Sequence, residues 1–154
     1  MVAVQTFSNN KNIYSVDMMF SYLHIFDHRI VSIDITKLLH NLEYKSWGDS
    51  QKDIHYSPMD VINNPNKKIY KNEIKRIEKA KLSYPIIIDG TGSFVVDGVH
   101  RLAKAFIQNK KTIKSYIFSR TLMKKFLINN NRNWDKVNEL QIYDYIELFN
   151  ERFC

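Results

Sequence analysis

The segment from Tyr84 to Ala105, YPIIIDGTGSFVVDGVHRLAKA, constrains this chain more than any other, because it reads as strand, tight turn, strand and abrupt helix start. Pro85 to Asp89 is short, almost wholly apolar and β-branched, which suits a strand. Gly90-Thr91-Gly92 turns the chain, and Phe94, Val95 and Val96 form the neighbouring strand. Asp97-Gly98 then opens a helix in which Val99, Leu102, Ala103 and Phe106 face the core. Ile113 to Phe118 reads as a third strand.

The helix start carries the chemistry. Backbone N–H groups at a helix N-terminus lack intrahelical partners and carry partial positive charge. Placing the His100 imidazole and the Arg101 guanidinium beside them makes a pocket for phosphate. Two adjacent cationic side chains at that end of a helix are unfavourable until an anion arrives.

Composition limits the alternatives. With 154 residues and 44% hydrophobic content the chain can bury one sizeable core, and a second independent domain is not expected. No apolar run approaches the roughly 18 residues of a membrane span. The N-terminus lacks a basic segment followed by an apolar one, so a soluble, intracellular, cytoplasmic protein with no membrane partner is expected. The single Cys154 offers neither an intramolecular disulfide nor a Cys cluster for zinc, and an exposed, inert thiol is the default. His24, His28, His40 and His55 show no metal-binding spacing. The formal charge of +7 favours an anionic partner, with polyphosphates and nucleic acid as candidates. Its basic runs, Lys67-Lys68 with Lys71, Lys75-Arg76, Lys110-Lys111 and Lys124-Lys125, are solvated surface by default. Abundant Asn, Lys and Ile fit an AT-rich coding sequence, of the kind viruses and mobile elements carry.

Along the rest of the chain, Val16 to Phe26 reads as a short buried helix with Ser15 as N-cap. Ile30 to Ile35 alternates as a strand, and Asp34 or Thr36 opens a short helix through Leu42. Trp47 to Asp53 is polar and turn-like, joining an N-terminal extension (1–52) to the main fold. Ser57 to Ile62 contains a strand or helical turn stopped by Asn63-Asn64-Pro65. Asn72 caps a helix in which Ile74, Ile77 and Leu82 share a face, while Glu73, Lys75, Arg76, Glu78 and Lys79 point to solvent. Beyond residue 118 a helical extension is expected: Thr121 to Ile128, a break at Asn129 to Asn131, and a last helix capped by Asn133 running from Trp134 to about Arg152. Its apolar stripe includes Trp134, Val137, Leu140, Ile142, Tyr145, Leu148 and Phe149, with core packing as the default.

The order of a strand-like Asp53-Ile54-His55 running into Ser57-Pro58-Met59, a charged helix, Pro85-Ile-Ile-Ile88 and then Asp97-Gly-Val-His-Arg101-Leu-Ala103 resembles the ParB/sulfiredoxin-like superfamily over residues 53–118. The resemblance implies an α+β fold, a small mixed β-sheet with packed helices, carrying helical N- and C-terminal extensions within one globular domain. It also implies that the Gly-x-His-Arg corner holds nucleotide phosphates. Val99 stands where sulfiredoxins carry their catalytic Cys, so reduction of sulfinic acids is not expected. Partition proteins follow this corner with a helix-turn-helix reader, and no clear recognition pair follows it here. Kinase-like relatives have an acidic residue after the first strand, whereas Asn63 to Lys67 is not acidic.

Phosphoryl transfer asks a protein chiefly to position phosphates and neutralise their charge. Gly98 lets the backbone approach, Arg101 can grip two oxygens, His100 can donate a hydrogen bond and Lys104 lies one turn further on. The candidate phosphate-binding set is Gly98, Val99, His100, Arg101 and Lys104, joined by Lys75, with His100 and Asp97 as catalytic candidates. Asp97 either caps the helix or holds magnesium through water, with Asp60 as a second metal candidate. Asp60 and Glu73 are the other acids with a claim to base duty, against a default of ordinary surface residues. The expected function is binding of ATP, ADP or CTP with Mg²⁺, as a hydrolase or phosphotransferase; the alternative is a DNA- or RNA-binding module, with or without nuclease activity.

Overall fold

A computed structural model describes residues 5–129 and 140–154. The chain divides into two compact units, Met1–His28 with Ser119–Cys154, and Arg29–Phe118. Residues 29–52, read from the sequence as part of an N-terminal extension, fall in the second unit.

The first unit begins with an antiparallel hairpin, β1 (Thr6–Asn9) and β2 (Asn12–Ser15). Asn10 takes a left-handed φ of 55° at its turn, a conformation Asn tolerates better than most residues. The sequence points to no element before Ser15, because four-residue strands are too short to establish a period and the Asn-Lys turn lacks glycine. Helix α1 (Val16–Ile25) follows, with Ser15 Oγ accepting from Met18 N–H at 3.2 Å and Val16, Met18 and Met19 buried.

The second unit opens with β3 (Ile30–Asp34), and Asp34 caps a 3₁₀ helix over Ile35–Leu42. Next come β4 (Trp47–Asp49), a 3₁₀ turn at Ser50–Lys52 and β5 (Ile54–Tyr56). The polar turn expected from Trp47 to Asp53 is therefore half of a two-stranded ribbon, with Trp47 opposite Tyr56. Gly48, at φ +128°, admits the close approach: a Cβ there would sit 2.0 Å from the Ile54 carbonyl oxygen. Helix α2 (Pro58–Asn63) resolves the strand-or-helix ambiguity at Ser57 to Ile62, because Ser57 and Asp60 form a capping box.

Helix α3 (Lys71–Lys79) continues from a 3₁₀ turn at Lys68–Tyr70, so Asn72 lies inside it and caps nothing. Leu82 lies beyond its end, though it still packs against the core. Strands β6 (Ile86–Asp89) and β7 (Phe94–Asp97) make the expected hairpin, and α4 (Val99–Ile107) and β8 (Thr112–Phe118) complete the unit. The four-stranded sheet runs β3-β8-β6-β7; β8 is antiparallel to β3 and parallel to β6, so α4 forms the crossover. Ile86, Ile88 and Val95 of the sheet bury against Leu38 and Leu42, Val61, Ile77, and Leu102, Ala103 and Ala105. Among the buried polar side chains, Asn41, 5% exposed, accepts from Val95 N–H at 2.9 Å and donates to the Leu38 and Ser93 carbonyls.

The chain then returns to the first unit. Helix α5 (Arg120–Lys124), capped by Ser119, stops short of the expected Ile128 because residues 126–128 hydrogen-bond to β2: Ser15 donates to the Phe126 carbonyl and Ile128 to that of Ile13. Asn129 binds the same hairpin through Ile13 N–H and the Lys11 carbonyl. Helix α6 (Ile142–Phe153) starts at a Gln141 cap boxed with Asp144. The expected cap Asn133, with Trp134 and Val137, lies outside the described residues. Tyr145, Leu148 and Phe149 are buried as expected, whereas Ile142 is exposed. Among the described residues no helix is long and apolar enough to cross a membrane.

Candidate functional site

The corner between β7 and α4 is set by Gly98. Its φ of +106° turns the strand directly into the helix, and a Cβ would lie 2.5 Å from Ile86 Cγ2. No side chain caps α4, so its first N–H groups stay uncapped. Asp97 is thus not the cap; its carboxylate instead accepts from the Arg101 guanidinium at 2.6 Å.

The other nitrogen of that guanidinium donates to the carbonyls of Tyr84 at 3.1 Å and Pro85 at 2.8 Å, tying α4 to the entry of β6. Lys104 donates to the carbonyls of Glu78 and Ala80 at 2.8 and 2.7 Å, at the negative end of α3. His100 Nε2 lies 2.6 Å from Glu73 Oε2, with the two side chains 28% and 13% exposed. The Trp47 ring stacks on the imidazole with centroids 4.5 Å apart and planes inclined by 15°. His100 and Arg101, expected to wait for an external anion, therefore each face a carboxylate of the protein's own.

Beside this corner lies an open groove of about 540 Å³. Asp97, Gly98, His100 and Arg101 line it, and so do Arg76, Lys79, Lys81 and Tyr84. Arg76, Lys79 and Lys81 make no ion pair among the described residues, although Lys81 sits over the Tyr84 ring at 6.0 Å. Tyr84 is 60% exposed.

The remaining predicted residues lie elsewhere. Val99 packs against the core and presents no side chain to the groove. Lys75 is exposed on α3 but does not line the groove; Arg76 and Lys79, three positions apart on another strip of that helix, do. Asp60 sits in the α2 capping box, where the Ser57 backbone N–H holds its carboxyl below the usual range. Among the described residues no three His, Cys, Asp or Glu side chains could share a metal. With Asp97 and Asp60 occupied in this way, the described residues do not fit a resident magnesium site.

Glu73, read from the sequence as a surface acid by default, is instead the partner of His100, and Trp47, read as the start of a polar turn, is the ring stacked on it. The nearby Tyr56 phenol is raised by burial and by the Glu73 charge. Arg76 and Lys79 carry a helical spacing readable in the sequence, but their meeting with residues 97–101 comes from the packing of α3 on α4.

The fold class is mixed α+β, with a small sheet and several helices. No protein-family model matches this chain, and no curated protein or solved structure is significantly similar to it.

Proposed function

We propose that this chain binds a nucleotide in the groove at the start of α4 and acts as a ParB/sulfiredoxin-like nucleotide hydrolase or phosphotransferase. One observation carries this: Arg76, Lys79 and Lys81 converge, without carboxylate partners among the described residues, on an uncapped helix N-terminus beside His100. Polyphosphate suits such a site, because free cations and backbone N–H groups both gain from an anion. The ligand's charge falls on these three side chains more than on Arg101, which is engaged by Asp97 and two carbonyls. Magnesium enters as part of the metal–nucleotide substrate.

Binding of a nucleic-acid strand is the second reading, favoured by the openness of the groove and by Tyr84, an exposed ring on which a base can stack. Calorimetric titration with ATP, ADP and CTP, each with magnesium, tests the first. Arg76→Glu or Lys79→Glu should weaken nucleotide binding about tenfold or more, the loss of one charge-assisted contact. Lys75→Glu on the same helix should leave it nearly unchanged. Oligonucleotide binding that falls steeply with salt, without nucleotide binding, supports the second reading instead.

A further inference from the structure

We propose that Glu73 is a positioning residue that holds His100 as a proton acceptor for the groove, so that His100 serves as general base and not as a phosphate ligand. The inference rests on the nucleotide reading above. It starts from the 2.6 Å contact between His100 Nε2 and Glu73 Oε2. An ionised carboxylate can only accept, so a neutral imidazole facing it carries its hydrogen on Nε2. The lone pair is then left on Nδ1. A neutral ring in this tautomer has no second N–H to offer a phosphate, but it can receive a proton.

The surroundings fix the ring in that role. Glu73 comes from α3 and Trp47 from the β4–β5 ribbon, so two elements distant in sequence meet the one side chain. The near-parallel indole blocks one face of the imidazole and restricts its rotation. A carboxylate behind a histidine both orients it and stabilises the imidazolium formed when it takes a proton. His100 lines the groove, within the same cavity as the unpaired cations. The other charged side chains that line the groove with His100 are Arg76, Lys79, Lys81, Asp97 and Arg101, whereas Glu73 meets the ring without lining the groove.

In the step this geometry supports, the oxygen of water or of an acceptor alcohol forms a bond to the terminal phosphorus of a nucleoside triphosphate. The bond from that phosphorus to the bridging oxygen breaks, and its electron pair leaves on the nucleoside diphosphate. The proton of the attacking hydroxyl passes to His100 Nδ1, and the resulting imidazolium is held by Glu73. No oxidant or reductant is needed.

Two measurements on the full chain test this. Long-range ¹H–¹⁵N correlation of the free protein at neutral pH reads the His100 tautomer directly. The Nε2–H form is expected, and Glu73→Gln, whose amide can donate as well as accept, is expected to populate it less completely. An Nδ1–H form in the unsubstituted protein overturns the proposal whatever the protein binds. Binding of ATP with magnesium and the rate of phosphate release are then compared in Glu73→Gln and His100→Gln. Both variants should keep their affinity within about threefold while kcat falls about 100-fold, the scale of a lost general base. Weakened affinity with kcat intact makes His100 a phosphate ligand and overturns it. An unsubstituted protein that shows the Nε2–H tautomer but binds no nucleotide removes the nucleotide reading and, with it, the base role; the Glu73–His100 pairing itself then stands.

Discussion

Asp97 and Arg101 form an ion pair across the first turn of α4, with carboxylate oxygen and guanidinium nitrogen 2.6 Å apart. The same guanidinium reaches the carbonyls of Tyr84 and Pro85, so one side chain links the exit of β7, the start of α4 and the entry of β6. Arg101 thus belongs to the frame of the groove as much as to its lining.

Arg101→Ala should therefore destabilise the protein in the absence of any ligand. It strands Asp97 and the Pro85 carbonyl, both partly buried, and the exposed Tyr84 carbonyl, and a loss of about 1–3 kcal/mol is expected. Urea unfolding of the ligand-free variant measures it. Arg101→Lys should recover only part, because an ammonium cannot reproduce the planar fork that spans carboxylate and carbonyls.

Gly98→Ala should also destabilise, by about 1–3 kcal/mol, because the left-handed backbone and the contact with Ile86 both oppose a Cβ. The effect should appear in the thermal midpoint and in faster amide exchange over residues 98–102. Unchanged stability would show that the strand-to-helix corner relaxes easily.

Asn41→Leu should cost about 3 kcal/mol, since the buried Val95 N–H and the part-buried Ser93 carbonyl lose their partner. Asn41→Asp should be no rescue, because a carboxylate cannot donate to the two carbonyls that Asn41 Nδ2 serves. Chemical denaturation of both variants, which should agree in sign, checks the assignment of the amide.

Acid should remove a specific part of the stability. The Thr36 hydroxyl and N–H lower the Asp34 carboxyl, and the Ser57 N–H lowers that of Asp60. A carboxyl lowered in the native state contributes stability that is fully present above its unfolded value, near about pH 4, and is lost as pH falls through the lower native value. Unfolding midpoints of the double variant Asp34→Asn with Asp60→Asn should accordingly fall less steeply below that pH than those of the unsubstituted protein. Parallel curves would exclude these two groups as the cause.

Much of the local structure was legible because it depends on neighbours along the chain. Ser15 before Val16, and Asp34 before Ile35, cap their helices through bonds spanning two or three residues. The β6–β7 hairpin and the Gly98 corner follow from apolar runs broken by glycines at fixed places. The β1–β2 hairpin and strand β4 are not legible in the sequence for the opposite reason, whereas β5 falls on the strand-like Asp53-Ile54-His55 segment. Strands β1, β2 and β4 are three or four residues long and owe their form to pairing, which leaves no period to read.

The segment from Tyr84 to Ala105 by itself determined a strand pair running into a helix whose N-terminus carries Gly98, His100 and Arg101. Local sterics and hydrogen bonding suffice for that. Only the tertiary structure decided what those side chains touch: α3 brings Glu73 to His100 from 27 positions away, and β4 lays Trp47 across the same ring. The tertiary structure also decided which cations line the groove beside them without an ion pair among the described residues, Arg76, Lys79 and Lys81 in place of Lys75 and Lys104. Charge pairing depends on distances in space, and distances between residues on separate elements are fixed by the packing of the core.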